Sequence, residues 1–398
     1  MMNVALVGQE MQNYRWEYKP LSEVAEIHDT RRKPINAKER AKRIEGKDES
    51  SLFPYYGATG QVGYIDDYLT DGEYVLLGED GAPFLDAFVN KAYIITGKAW
   101  VNNHAHILRS KGDNRFLCYY LNHFDFHDYV SGTTRLKLTQ EQMKKIPVPV
   151  LPIEEQQHIV ARIEELFSQL DDAEATLQKT KAQLALYRQA VYTSAYKGIE
   201  ANRSINEFFD ITGGITKNST RGSMQNKRPY LRVANVYYNR LDLSEIKEIG
   251  VTDAEIEKCT LMKNDLLFVE GNGSKSQIGR VAIWDGSIPN IVHQNHIIKG
   301  RPNGKMFPEF ALFYLMSFMG RRQISDVAKS TSGLYTLSTD KVRKLKVPYC
   351  QEGEQRRVLS EISSRISICE SIEQVVDKAI IQNQSLRMSI LTNALKGE

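Results

Sequence analysis

At 398 residues the chain has room for two or three domains, and a composition of 41% apolar with 25% charged residues excludes a disordered polypeptide. Its four cysteines, Cys118, Cys259, Cys350 and Cys369, stand far apart with no C-x-x-C, which argues against a disulfide framework or a zinc ribbon and for a reduced, cytoplasmic protein. The longest strongly apolar run, residues 310–319, is about half a bilayer span, so no membrane is expected, and the net charge of +3 divides unevenly: residues 16–150 carry 18 Lys and Arg against 19 Asp and Glu, residues 200–350 carry 22 against 15.

Residues 1–15 read as an N-terminal extension. From 16 to 152, short alternating segments punctuated by glycine predict a mixed α/β module, with strands over 73–78, 92–96 and 104–109 and a short aromatic helix over 116–126. A basic cluster follows the first strand: Thr30-Arg31-Arg32-Lys33, then Lys38, Arg40, Lys42 and Arg43. Lys and Arg neutralise phosphate, and Arg also makes paired hydrogen bonds to base edges, so Arg31, Arg32, Lys33, Lys38 and Arg40 are candidate DNA contacts. Near the end of the module, Ser131-Gly132-Thr133-Thr134-Arg135 offers small hydroxyls and a glycine that permit close backbone approach to a phosphate. Ser131, Thr133, Thr134 and Arg135 join the candidates.

Over 153–199 the positions Ile163, Leu166, Leu170, Ala173, Leu177, Thr180, Leu184, Tyr187 and Val191 alternate by three and four, which predicts one helix with a coiled-coil seam. Pro152 ahead of Glu154-Glu155 suits the positive helix start, and Lys197-Gly198 suits its end. A helix of about 44 residues would be roughly 65 Å long.

The segment 200–350 repeats the mixed pattern, with strands expected over 266–270, 279–284 and 291–298 and an aromatic helix over 310–320. Its basic cluster supplies Lys217, Asn218, Arg221, Lys227 and Arg228, and its hydroxyl-rich loop supplies Ser330, Thr331, Ser332 and Tyr335. Residues 271–276 hold glycine, lysine and serine at the wrong spacing for a P-loop; Lys275 is kept as a DNA candidate. Residues 351–398 predict a second long helix with Ile362, Ile366, Cys369, Ile372, Val376, Ala379, Leu386 and Ile390 on its seam, and Asn383 among them.

A shift of 199 residues lays 138–198 on 337–397 without a gap, with 16 identities in 61 positions. The chain is therefore read as two tandem halves, α+β in class, in which two mixed α/β domains are separated by two long antiparallel helices under a pseudo-twofold axis. Each helix gives the other the apolar partner it needs.

No catalytic constellation emerges. The sequence has no adenine-methyltransferase tetrapeptide Asn/Asp-Pro-Pro-Tyr/Phe, and the pairs His104/His106, His123/His127 and His293/His296 lack complementary metal ligands. Glu-x-Lys triplets such as Glu245-Ile246-Lys247 arise freely by chance. No catalytic residue, no metal and no cofactor of its own are expected of this chain.

Pro54-Tyr55-Tyr56-Gly57-Ala58-Thr59-Gly60, Gly63-Tyr64-Ile65, the run 71–81, Ser131-Gly132-Thr133-Thr134, the run 146–150 and Glu154-Glu155-Gln156-Gln157 resemble the specificity (S) subunit of type I restriction-modification enzymes. So does the alternation of a duplicated module with two matching helices, and the resemblance spans nearly the whole chain. The second half departs from it, with no P-Y-Y-G-A-T-G. The resemblance adds Tyr55, Tyr56 and Thr59 to the candidate contacts and implies a non-catalytic role: 16–152 and 200–350 are target recognition domains for a bipartite double-stranded DNA site, expected to be asymmetric because the two halves differ so much in sequence, and 153–199 and 351–398 are spacer helices. It also implies two methyltransferase subunits carrying S-adenosylmethionine, joined where present by two restriction subunits that use ATP and Mg. Alternatives are a recognition subunit of another DNA-modifying machine, a coiled-coil adaptor without nucleic acid, and a self-sufficient nuclease.

Overall fold

The computed structural model describes residues 16–271, 277–328 and 335–396, and the chain divides into two compact units. One takes the chain up to Gln178 and again from Asp377; the other is Lys179–Val376. Each holds one globular half together with one stretch of each long helix.

In the first unit Tyr74–Gly78 is apolar throughout and buried at every position, which makes it a central strand. It lies between Ala105–Ser110 and Ala92–Ile95 in a four-stranded antiparallel sheet completed by Ala25–Ile27. The helix Asn114–His123 is capped by Asp113, whose carboxylate accepts from the Arg115 and Phe116 amides, and it lays Leu117 and Leu121 in one cluster with Val75 and Leu77. A three-stranded sheet places Phe53–Gly57 between Gly60–Ile65, antiparallel, and Trp100–Val101, parallel. Glu17–Pro20 pairs with Pro147–Val150, so the chain leaves this half where it entered.

The second unit repeats these three sheets in the same strand order and adds a short hairpin, Val236–Tyr237 against Arg240–Leu241. Its four-stranded sheet runs Phe209–Gly213, Ile297–Pro302, Leu266–Val269, Val281–Ile283. Its three-stranded sheet sets Lys227–Leu231 between Lys247–Gly250, antiparallel, and Val292–His293, parallel. Arg203–Ser204 pairs with Lys346–Val347 to close the half. Two sequence expectations need correcting here. The run 291–298 is two strands of different sheets broken by a turn, and the aromatic helix stops at Met316 before a second helix, Phe318–Ala328.

The long helices are Ile153–Ala195 and Glu352–Leu395. In the first unit Ile159, Val160 and Ile163 pack with Leu391 and Leu395, and farther along the Leu170 carbonyl accepts a 2.8 Å bond from Asn383. In the second, Arg188 meets Glu373 at 2.9 Å while Val191 and Ala195 share a cluster with Val358 and Ile362. Ascending one helix means descending the other, so the pairing is antiparallel in each unit. Ile163, Leu184, Ile362 and Val376 are buried as a seam requires, and Leu166, Leu170, Leu177, Ile366 and Ile390 are half-buried. Ile372 and Leu386, however, are 40% and 52% exposed. An unbroken four-three phase from Ile362 through Ile366, Cys369 and Val376 falls on 373 and 387, which are polar: Glu373 pairs with Arg188, and Arg387 pairs with Asp171 and lies over Phe167. Looking only for apolar side chains moved the expected seam one residue aside at both places.

Candidate nucleic-acid interface

In the first half the basic segment is anchored by a buried carboxylate. Asp29 accepts from the Ile107 amide at 2.9 Å, from His106 Nδ1 at 2.6 Å and from Gln140 at 2.8 Å, and the Arg32 guanidinium lies 3.1 Å away. Burial pushes the Asp29 carboxyl up, but hydrogen bonding and charge from His106, with the Ile107 amide and Gln140, outweigh burial and hold it below its ordinary value. Arg32 also pairs with Glu79 and donates to the Ala105 carbonyl at 3.1 Å; its side chain is 15% exposed and already occupied. Arg31 donates to the Tyr74 hydroxyl at 2.9 Å but is exposed, as are Lys33 and Lys38, and Arg40 lies over the Tyr55 ring at 4.5 Å. Tyr55 itself is buried in the sheet, and Tyr56 is half-buried.

The hydroxyl-rich loop is clasped at its base, where Ser131 and Lys137 exchange backbone bonds of 3.0 and 2.8 Å. Gly132 turns inside it at φ +99°, and a side chain there would strike the Arg135 carbonyl, so the loop needs its glycine. Ser131, Thr133, Thr134 and Arg135 are all exposed. Arg135 reaches Asp80 at 2.6 Å. Thr134, Arg135, Thr59, Asp80, Asn102 and His104 meet around one shallow pocket, so the structure brings together the P-Y-Y-G-A-T-G turn and the hydroxyl loop, which the sequence separates by over 70 positions.

In the second half Arg221 occupies a setting like that of Arg32. It donates to Glu255 at 2.6 and 3.0 Å and to the Thr216 and Gly250 carbonyls, and it is 13% exposed. The Arg221 hydrogen bond pulls the Glu255 carboxyl down to about 2. Lys217, Asn218 and Lys227 are exposed, while Arg228 and Tyr335 are half-buried. Lys275, Ser330, Thr331 and Ser332 lie outside the described residues. Strand register supplies what the sequence lacked: Tyr230 faces Val292 as Tyr55 faces Trp100, so Pro229-Tyr230-Leu231 stands where Pro54-Tyr55-Tyr56 stands in the first half. The register also brings Asn102-Asn103-His104 and Gln294-Asn295-His296 to matching places. Sequence reasoning had weighed those histidines only as metal ligands; the signal that could have found them is the Asn-His pair in the turn that follows the same short strand of each half.

Among the described residues no helix is long and apolar enough to cross a membrane. Residues 13–183 and 197–380 match the family described as the type I restriction modification DNA specificity domain. The chain is 26% identical over 385 residues to a Haemophilus influenzae protein classed as a type I restriction enzyme specificity subunit, covering 92% of each. It is 24% identical to the Escherichia coli K12 EcoKI specificity subunit, over 64% of this chain and 58% of that one. Among solved structures, a chain from work on complex assembly and conformational transition of the type I R-M system aligns over 96% of this chain and 97% of its own length, with a TM-score of 0.66 at 14% identity, which speaks for the fold. With both halves matched, the chain belongs to the type I restriction-modification DNA specificity family, whose members are non-catalytic specificity subunits.

Proposed function

We propose that each globular half of this specificity subunit reads one half of an asymmetric bipartite DNA target and that the paired helices set the gap between the half-sites. The observation that carries this reading is the duplicated frame: one strand topology, built twice, presents different side chains at matching positions. In this reading 16–152 and 200–350 are the recognition domains, 153–199 and 351–398 the spacers, and 1–15 an extension. Arg31, Lys33, Lys38, Arg40, Thr59, Ser131, Thr133, Thr134 and Arg135 serve the first half-site. Lys217, Asn218, Lys227, Arg228, Lys275, Ser330, Thr331, Ser332 and Tyr335 serve the second. Tyr55 and Tyr56 shape the turn that holds Thr59, and Arg32 and Arg221 hold the basic segments in position through their carboxylate partners.

The long helices dock two methyltransferase subunits. Ile368, Ile372 and Val375, spaced four and three apart on one face of the second helix, are 58%, 40% and 64% exposed, and an apolar stripe of this kind is suited to a partner. The methyltransferase subunits bring S-adenosylmethionine, and two restriction subunits using ATP and Mg join them in the cytoplasm. Long-read methylation sequencing of a host genome with and without the gene tests the reading. One bipartite asymmetric motif that loses N6-methyladenine on deletion is the expected result; a methylome unchanged by deletion, with no DNA binding by the purified chain, would refute it.

A further inference from the structure

We propose that the tripeptides Asn102-Asn103-His104 and Gln294-Asn295-His296 are matching base-reading segments, one per half, with the Asn-His pair of each as the specificity-determining residues. This rests on the reading that each half contacts its own half-site. Three backbone bonds set both segments in the same frame. The Asn102 amide donates to the Tyr56 carbonyl at 3.1 Å, as that of Gln294 donates to Leu231 at 3.0 Å. The Glu79 amide donates to the His104 carbonyl at 2.8 Å, as that of Glu270 donates to His296 at 2.9 Å. The Leu138 amide then donates to Glu79, and that of Leu337 to Glu270, which ties each frame to the first residue of the sequence repeat.

What the frames hold out is accessible and chemically apt. Asn103 is exposed, the His104 and His296 side chains are 40% and 53% exposed, and Asn295 is half-buried. An Asn amide offers a donor and an acceptor together, the pattern that pairs with adenine in the major groove, and each imidazole, its Nδ1 facing a carboxylate, has Nε2 to offer a base edge. Each histidine also has a carboxylate beside Nδ1: Asp80 at 3.5 Å in the first half, Glu270 at 2.9 Å in the second. A carboxylate repels phosphate but accepts from cytosine N4, so Glu270 favours a base edge over the DNA backbone, while Asp80 is already paired with Arg135. In the first half, Thr134 and Arg135 across the same pocket supply backbone-type contacts alongside.

The test is the methylome of the intact system carrying the double variants N103A/H104A or N295A/H296A, or the near-isosteric N103D or N295D, which exchange the amide donor for a carboxylate oxygen with little change of shape. The first-half variants are expected to relax or change one or two positions of one half-site and leave the other intact; the second-half variants are expected to do the reverse. A motif unchanged at every position under N103D and N295D would overturn the assignment. So would a fall of more than about tenfold in methylation with no position relaxed, which marks a phosphate contact or a folding defect. Absence of any two-part motif in the wild-type host would instead remove the specificity reading beneath it.

Discussion

From Leu138 and Leu337 onward the two halves align without a gap, with 16 identities in 61 positions, whereas upstream they share strand order and hydrogen-bonding frame but no gapless sequence match. The contrast separates two kinds of constraint. The long helices pack against each other, so a change in one seam is felt by the other. The globular halves answer only to their own topology, and side chains on the frame are free to differ. Their buried polar chemistry differs accordingly. The strand position that carries His106, opposite Leu77, carries Ile298, opposite Phe268, in the second half. There the buried carboxylate is instead Asp265, gripped by Arg301 at 2.8 and 3.0 Å.

The largest effect that would sharpen this comparison comes from Asp29→Ala. It strands His106 and Arg32 without their shared carboxylate, and breaking a buried pair in this way costs about 3–5 kcal/mol. Hydrogen exchange should show loss of protection in the first half with the second unchanged; equal loss in both would contradict the separateness of their cores. Next come Ile163→Ala and Ile362→Ala, equivalent in the repeat and both fully buried. Each should lose about 2–5 kcal/mol by denaturant unfolding, while Leu386→Ala, on an exposed position, should stay within about 0.5 kcal/mol. A large loss at Leu386 would put it back on the seam.

Smaller still, Asn383→Leu removes a buried amide whose Oδ1 has no hydrogen-bond partner, at the place where the first helix carries Leu184. Stability should rise by about 1 kcal/mol while the register between helices is less firmly fixed. Thermal melting reads the first effect and cysteine cross-linking across the pair reads the second. Glu255→Gln weakens the grip on Arg221 by about 1 kcal/mol once solvent screening is allowed for. Because the folded carboxyl lies at about 2 against an ordinary 4.5, this stabilisation is fully present above pH 4.5 and fades as pH falls toward 2. The difference between wild type and variant in acid unfolding should close over that interval.

Much of this was legible in advance because it has a period or a repeat. The helix starting after Pro152, its end before Gly198 at φ +86°, and the duplication all follow from spacing. Polar seam positions such as Glu373 and Arg387 were not legible, since a search for apolar side chains passes them by. Nor was the occupation of Arg32 and Arg221 by Glu79 and Glu255, because such pairs form between residues 34 to 47 positions apart and only the tertiary fold brings them together. The matching of Asn102–His104 with 294–296 required strand register, which similarity this low does not transmit.

The most direct test of the division of labour between frame and spacer inserts one heptad into each long helix, between Leu170 and Leu177 and between Val376 and Asn383. Seven residues add about 10 Å of helix, or roughly three base pairs of DNA at 3.4 Å each. The account predicts a methylated motif with both half-sites unchanged and the gap lengthened by about three base pairs; full activity on the original gap would contradict it.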